Sequence, residues 1–133
     1  GRTDYREFAL PHTRLIFDRL RALDVPAIHF GVGATAILQD LAEAGGDVIG
    51  IDWRQPLDEA WERIPGRAIQ GNLDPMRLLG PRETMLAAAD DVLRRADRRP
   101  GHIFNLGHGV LPPTPLEHVQ ELAHYVHRVT RRS

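Results

Sequence analysis

Four short apolar segments set the limits on how this chain can fold: residues 25–30 (VPAIHF), 47–52 (DVIGID), 67–72 (RAIQGN) and 102–106 (HIFNL). Each contains β-branched residues and lacks clean polar–apolar alternation. That pattern predicts strands buried on both faces of a parallel sheet. The segments between them carry helical spacing. Residues 35–44 contribute Ile37, Leu38 and Leu41 and stop at Gly45-Gly46, a C-terminal signal. Residues 56–64 put Leu57, Ala60, Trp61 and Ile64 on one face, and residues 81–95 do the same with Met85, Leu86, Ala89, Val92 and Leu93.

Two longer helices flank this core. The first is predicted over residues 5–23, with Phe8, Leu15, Ile16, Leu20 and Leu23 apolar. Pro11 kinks or interrupts it, because its ring clashes with the preceding turn. The last begins at Thr114-Pro115-Leu116-Glu117, where Thr114 suits the N-cap, Pro115 the first helical position and Glu117 a capping box. Its expected buried stripe is Leu116, Val119, Leu122, Ala123, Val126 and Val129.

The order is therefore a helix, then strand–helix four times, which implies right-handed βαβ units and a parallel sheet. No linker divides the 133 residues, so a single domain over residues 1–133 is expected. Four such units resemble half of a (β/α)8 barrel of the TIM type, which needs about 250 residues when complete. Alone they leave two open sheet edges that need cover.

Composition excludes several classes. Basic and acidic residues number 17 and 18, so nothing in the overall charge points to nucleic acid or an anionic membrane. No apolar run approaches the ~20 residues of a transmembrane helix. Cys is absent, which removes disulfides, thiolate zinc sites and Cys nucleophiles. With no signal-peptide pattern in Gly1-Arg2-Thr3-Asp4, a cytoplasmic protein is expected. All 17 basic residues are Arg, which suits a polycarboxylate ligand but equally reflects a GC-rich coding bias.

Each strand ends in a chemically capable residue: His29, Asp52, Asn72 with Asp74, and Asn105 with His108. Ligands of parallel α/β folds bind at these carboxyl ends. Most of the residues also have a structural reading. Asp74 before Pro75 looks like an N-cap, Asn72 in a Gly-Asn pair like a backbone brace, and His29 like a satisfied core histidine. Asp52 is balanced between function and pairing with a neighbouring backbone group or Arg54. Gly31-Val32-Gly33 reads as a tight turn rather than an anion loop, and lacks both the P-loop and the dinucleotide fingerprint. His108 differs, standing between Gly107 and Gly109 just beyond the fourth strand. A histidine there can donate to a carboxylate or shuttle a proton near neutral pH.

The stretches HFGVG, AGGDVIGIDWRQPLDEA, QGNLDP and FNLGHGVLPPTPLEHV, with the opening DYREFALPHTRLIFDRL, resemble the C-terminal region of the uroporphyrinogen decarboxylase family. The likeness runs through essentially the whole chain in one order and spacing. It implies the C-terminal half of a distorted (β/α)8 barrel from a cytosolic homodimer. It also implies an enzyme that converts the acetate side chains of uroporphyrinogen III to methyl groups with release of carbon dioxide, without metal or organic cofactor. By the same resemblance, His108 is the active-site histidine that hydrogen-bonds polar groups of the substrate. The family's Arg-rich motif, catalytic Asp, Tyr and substrate-binding Ser have no counterparts here. Asp4, Tyr5, Asp52 and Asp74 do not stand at their positions. The chain is thus expected to be a segment of a longer protein, to need the missing N-terminal half of the barrel, and to be inactive alone.

Two other readings compete. One is a non-catalytic half-barrel that pairs with itself or a partner to cover its edges. The other is a cobalamin-dependent methyltransferase of the same superfamily, but its zinc thiolate site needs Cys, and here the corresponding stretch is His29-Phe30-Gly31.

Overall fold

The computed structural model describes residues 1–131. Its strands are β1 (Ile28–Phe30), β2 (Val48–Gly50), β3 (Ala68–Leu73) and β4 (His102–Leu106). Its helices are α1 (Arg2–Asp4), α2 (Leu10–Arg21), α3 (Leu38–Ala44), α4 (Leu57–Glu62), α5 (Arg82–Ala96) and α6 (Leu116–Thr130). All strand pairs are parallel, and the sheet order is β1-β2-β3-β4, the order of the chain. A sequential order with no switch point sends every crossover the same way, so the helices gather on one face. This is the expected architecture of half a barrel.

The register explains the core. His29, Ile49, Ile69 and His102 form one row across the sheet, facing the helices. Ile49 and Ile69 are fully buried there against Leu38, Leu57, Ala60, Met85, Ala89, Leu122 and Val126. The next row, Phe30, Gly50, Gln70 and Ile103, faces the other way, and Phe30 and Ile103 are 44% and 42% exposed. The expectation of strands buried on both faces therefore holds for β2, which is buried throughout, and fails for the outer strands β1 and β4. The second face is the concave side that a complete barrel encloses.

The first helix departs from its sequence reading. Between α1 and α2, residues Tyr5–Ala9 form a wide π turn in which the Leu10 amide donates to Tyr5, five residues back. Pro11 thus sits in the first turn of α2, where its lost N–H and its ring are tolerated. The extra residue rotates the helix faces on either side of it. Leu10 and Phe17 become the buried pair, while Phe8, Leu15, Ile16 and Leu23 are 58–68% exposed. Phe17 stacks on His29 with ring centroids 4.6 Å apart. It also lies against Gly45, where a Cβ would fall 2.4 Å from the Phe17 Cβ at a backbone φ of +135°. Only glycine ends α3 in that way. Arg2 and Arg6 both pair with the buried Asp40 of α3, tying the N-terminal segment to that helix.

At the other end, Pro115 is extended and α6 starts at Leu116. The Thr114 hydroxyl caps nothing and has no hydrogen-bond partner, so the expected capping box does not form. Leu122 and Val126 carry the buried stripe of α6, with Leu116 at 67% and Val129 at 39% exposure outside it. No helix among the described residues is long and apolar enough to cross a membrane.

Candidate functional site at the carboxyl end of the sheet

The loop after β4 brings His108 to the loop after β2, and Gly107 is the reason it can. A Cβ on Gly107 would lie 2.5 Å from the Trp53 nitrogen and 2.9 Å from the Asp52 carbonyl carbon. No side chain fits between these two backbones. The Gly107 amide also donates to the Leu73 carbonyl at 2.7 Å, prolonging the β3–β4 ladder into the loop. Gly109 meets nothing within 4 Å, so its side of the loop is open.

His108 itself is exposed, and its ring stands edge-on to the Trp53 indole at 6.1 Å. The Gly109 amide donates to its Nδ1 at 2.7 Å. Because a backbone N–H can only donate, Nδ1 must be the unprotonated nitrogen. The neutral ring then carries its proton on Nε2, which is free to donate outward.

Asp52 organises the neighbouring loop. Its carboxylate is buried and accepts from the Gly33 amide, the Arg54 amide at 3.0 Å and the Arg54 Nη1 at 2.7 Å. Burial pushes its pKa up, but these hydrogen bonds and the guanidinium charge outweigh that and hold it below the usual carboxylate range. The balance between its two readings falls to the structural one. The Gly31-Val32-Gly33 segment is a turn, and its Gly33 amide serves the protein's own carboxylate rather than a ligand.

Of the remaining strand-end residues, Asn72, Asp74 and His29 are structural, and Asn105 stays exposed. The side-chain amide of Asn72 donates to the carbonyls of Asp52 at 2.9 Å and Gln55 at 2.7 Å. Asp74 caps the turn Pro75–Leu79 by accepting from the Met76 amide at 2.9 Å. His29 Nδ1 lies 3.0 Å from the Leu41 carbonyl, and Asn105 accepts from the adjacent Leu106 amide. Beneath Trp53, on the helix side, a cavity of about 400 Å³ is lined by Gln55, Asn72, Asp74, Arg77 and Arg95 among others. Among the described residues, no three His, Asp or Glu side chains gather as a metal site.

Arg54 was expected only as a partner of Asp52, a pairing the structure shows, and Trp53 was not singled out from the sequence. The Arg54 guanidinium lies over the Trp53 ring, 4.1 Å from its centroid. His108, Trp53, Arg54 and Asp52 therefore form one continuous ledge, built from the loops after β2 and β4 and held to the loop after β1. It offers one neutral N–H donor and one cation at the face where ligands of such sheets bind.

The comparisons agree with this architecture. The family model described as "Uroporphyrinogen decarboxylase (URO-D)" matches residues 1–129. A relative from Solibacter usitatus is 49% identical over 127 residues, covering 95% of this chain and 37% of that protein. One from Sorangium cellulosum is 50% identical over 131 residues, covering 98% and 38%. One from Thermobifida fusca is 52% identical over 128 residues, covering 96% and 36%. All three are named uroporphyrinogen decarboxylase. This chain spans little more than a third of the length of these relatives. Matched from its first residue to residue 129, the chain belongs to the uroporphyrinogen decarboxylase family.

Proposed function

We propose that this chain supplies one corner of the active site of a cofactor-independent uroporphyrinogen decarboxylase, and that His108 is its substrate-contacting residue. The observation that carries this reading is the exposed His108 ring at the carboxyl end of β4, with its Nδ1 accepting from the Gly109 amide.

The chemistry suits such a donor. Loss of carbon dioxide from an acetate on a pyrrole leaves an unfavourable carbanion unless the ring is first protonated and becomes an electron sink. The protein then has to orient the tetrapyrrole, balance the cationic ring and hold the carboxylates that do not react. His108 provides a hydrogen bond to a substrate polar group. It does not provide the carboxylate that would face the pyrrole N–H groups, because Asp52 is buried and already occupied by Gly33 and Arg54.

In this reading the 133 residues form a single domain unit that is inactive by itself. The N-terminal part of the barrel packs against the open edges of β1 and β4 and closes over the concave row of Phe30 and Ile103. The complete protein works as a cytoplasmic homodimer. The exposed row also favours a second reading, in which two copies of this half-barrel cover each other's edges.

Anaerobic assay of uroporphyrinogen separates the two. The native protein containing this sequence should release carbon dioxide and form the tetramethyl product, and the 133-residue chain alone should not. Turnover by the isolated chain would overturn the first reading, and a dimeric mass of the isolated chain with no turnover by either protein would favour the second.

A further inference from the structure

We propose that Arg54 binds a substrate carboxylate beside His108. The inference rests on the decarboxylase reading above and adds the residue that recognises the acidic side chains of the tetrapyrrole.

Three observations carry it. First, Arg54 is half exposed at the carboxyl end of the sheet, although its partner Asp52 is 1% exposed. Only Nη1 is engaged with that carboxylate, at 2.7 Å, and no described residue accepts from Nε or Nη2. A guanidinium presents its donors as a planar fork, so the unused donors remain available to a second carboxylate.

Second, the group is held from two sides. Asp52 fixes one nitrogen and the Arg54 backbone amide, and the Trp53 indole lies 4.1 Å beneath the guanidinium carbon. A side chain already immobilised loses less rotamer freedom when a ligand arrives, so more of its interaction appears as affinity. An arginine serving only to neutralise Asp52 would not need the indole platform.

Third, Trp53 is shared. Its other neighbour is the His108 ring, edge-on at 6.1 Å. The cation and the neutral donor thus flank one aromatic ring, an arrangement suited to a ligand that carries several carboxylates around a macrocycle.

The test uses the native protein with Arg54→Gln and Arg54→Lys. Binding is read with oxidised uroporphyrin, an unreactive fluorescent octacarboxylate, and turnover with uroporphyrinogen under anaerobic conditions. Arg54→Gln should weaken uroporphyrin binding and raise KM about ten- to a hundredfold, with kcat changed much less. Arg54→Lys keeps the charge but not the fork, so it should recover part of the loss. Unchanged affinity and KM in a folded Gln variant would overturn the assignment. If the Gln variant fails to fold, the Lys variant decides: a clear loss of uroporphyrin affinity supports the role of Arg54, and parental affinity overturns it. A native protein that neither binds uroporphyrin nor turns over uroporphyrinogen removes the decarboxylase reading, and the Arg54 assignment with it.

Discussion

The side-chain amide of Asn72 donates to the main-chain oxygen of Asp52 at 2.9 Å, and both residues are almost fully buried. One strand end thereby braces the next. The same amide reaches the Gln55 carbonyl, so both sides of the Trp53-Arg54 turn hang from a single side chain on β3. The ledge that bears His108 rests on this brace, because the Gly107 backbone packs directly against Asp52 and Trp53.

Removing the brace should therefore cost stability and distort the ledge. Asn72→Ala leaves two buried carbonyls without their donor, at a cost of about 2–4 kcal/mol. Urea unfolding of the native protein and its variant checks this. A variant within about 0.5 kcal/mol of the parent, the scatter typical of surface changes, would show that the brace is idle.

Gly107→Ala tests the close approach. The added methyl would overlap backbone atoms of Asp52 and Trp53 rather than a movable side-chain tip. One loop or the other must shift, with a loss of about 1–3 kcal/mol as in other overpacked sites. Thermal melting reads the loss. Near-ultraviolet circular dichroism should change with it, since Trp53 loses its contact with His108. Gly109→Ala has open space around it and should leave both signals as they are.

Asp52 predicts a pH dependence with a definite sign. Its carboxyl titrates below the ordinary value in the folded protein, so it stabilises the fold above the unfolded pKa of about 3.9. That contribution is lost as pH falls through the folded value. Asp52→Asn mimics the protonated state at every pH. The stability gap between parent and variant should be largest near neutrality and shrink below about pH 4. A gap that stays constant from pH 7 to pH 2 would contradict this role.

Most of the sheet was legible in the sequence because buried parallel strands are short, apolar and β-branched. The helices α4 and α5 were legible because Leu57, Ala60 and Trp61, and Met85, Ala89 and Val92, recur at helical spacing and face one core. The face of the first helix was not legible. Its π turn breaks the 3.6-residue period that the stripe of Phe8, Leu15 and Ile16 assumed. The capping box at Thr114 failed because Pro115 stays extended and delays the helix by one residue. His108 stood out through its flanking glycines, although Gly107 turns out to admit the protein's own backbone rather than a ligand. Arg54 was legible as a partner of Asp52, but not as a group with donors to spare. Nothing in a sequence says which nitrogen of a guanidinium a buried carboxylate will leave free.

The central claim is that His108 contacts the substrate of a decarboxylase, and one measurement tests it most directly. Steady-state turnover of uroporphyrinogen is compared, anaerobically, between the native protein and His108→Ala. His108 is exposed, and its ring meets the edge of Trp53 and the amide of its own neighbour Gly109, so the variant should melt like the parent. Its kcat/KM should fall about ten- to a hundredfold, the effect of losing one hydrogen bond to a polar group of the transition state. A folded variant with the parent's kcat/KM would contradict the claim.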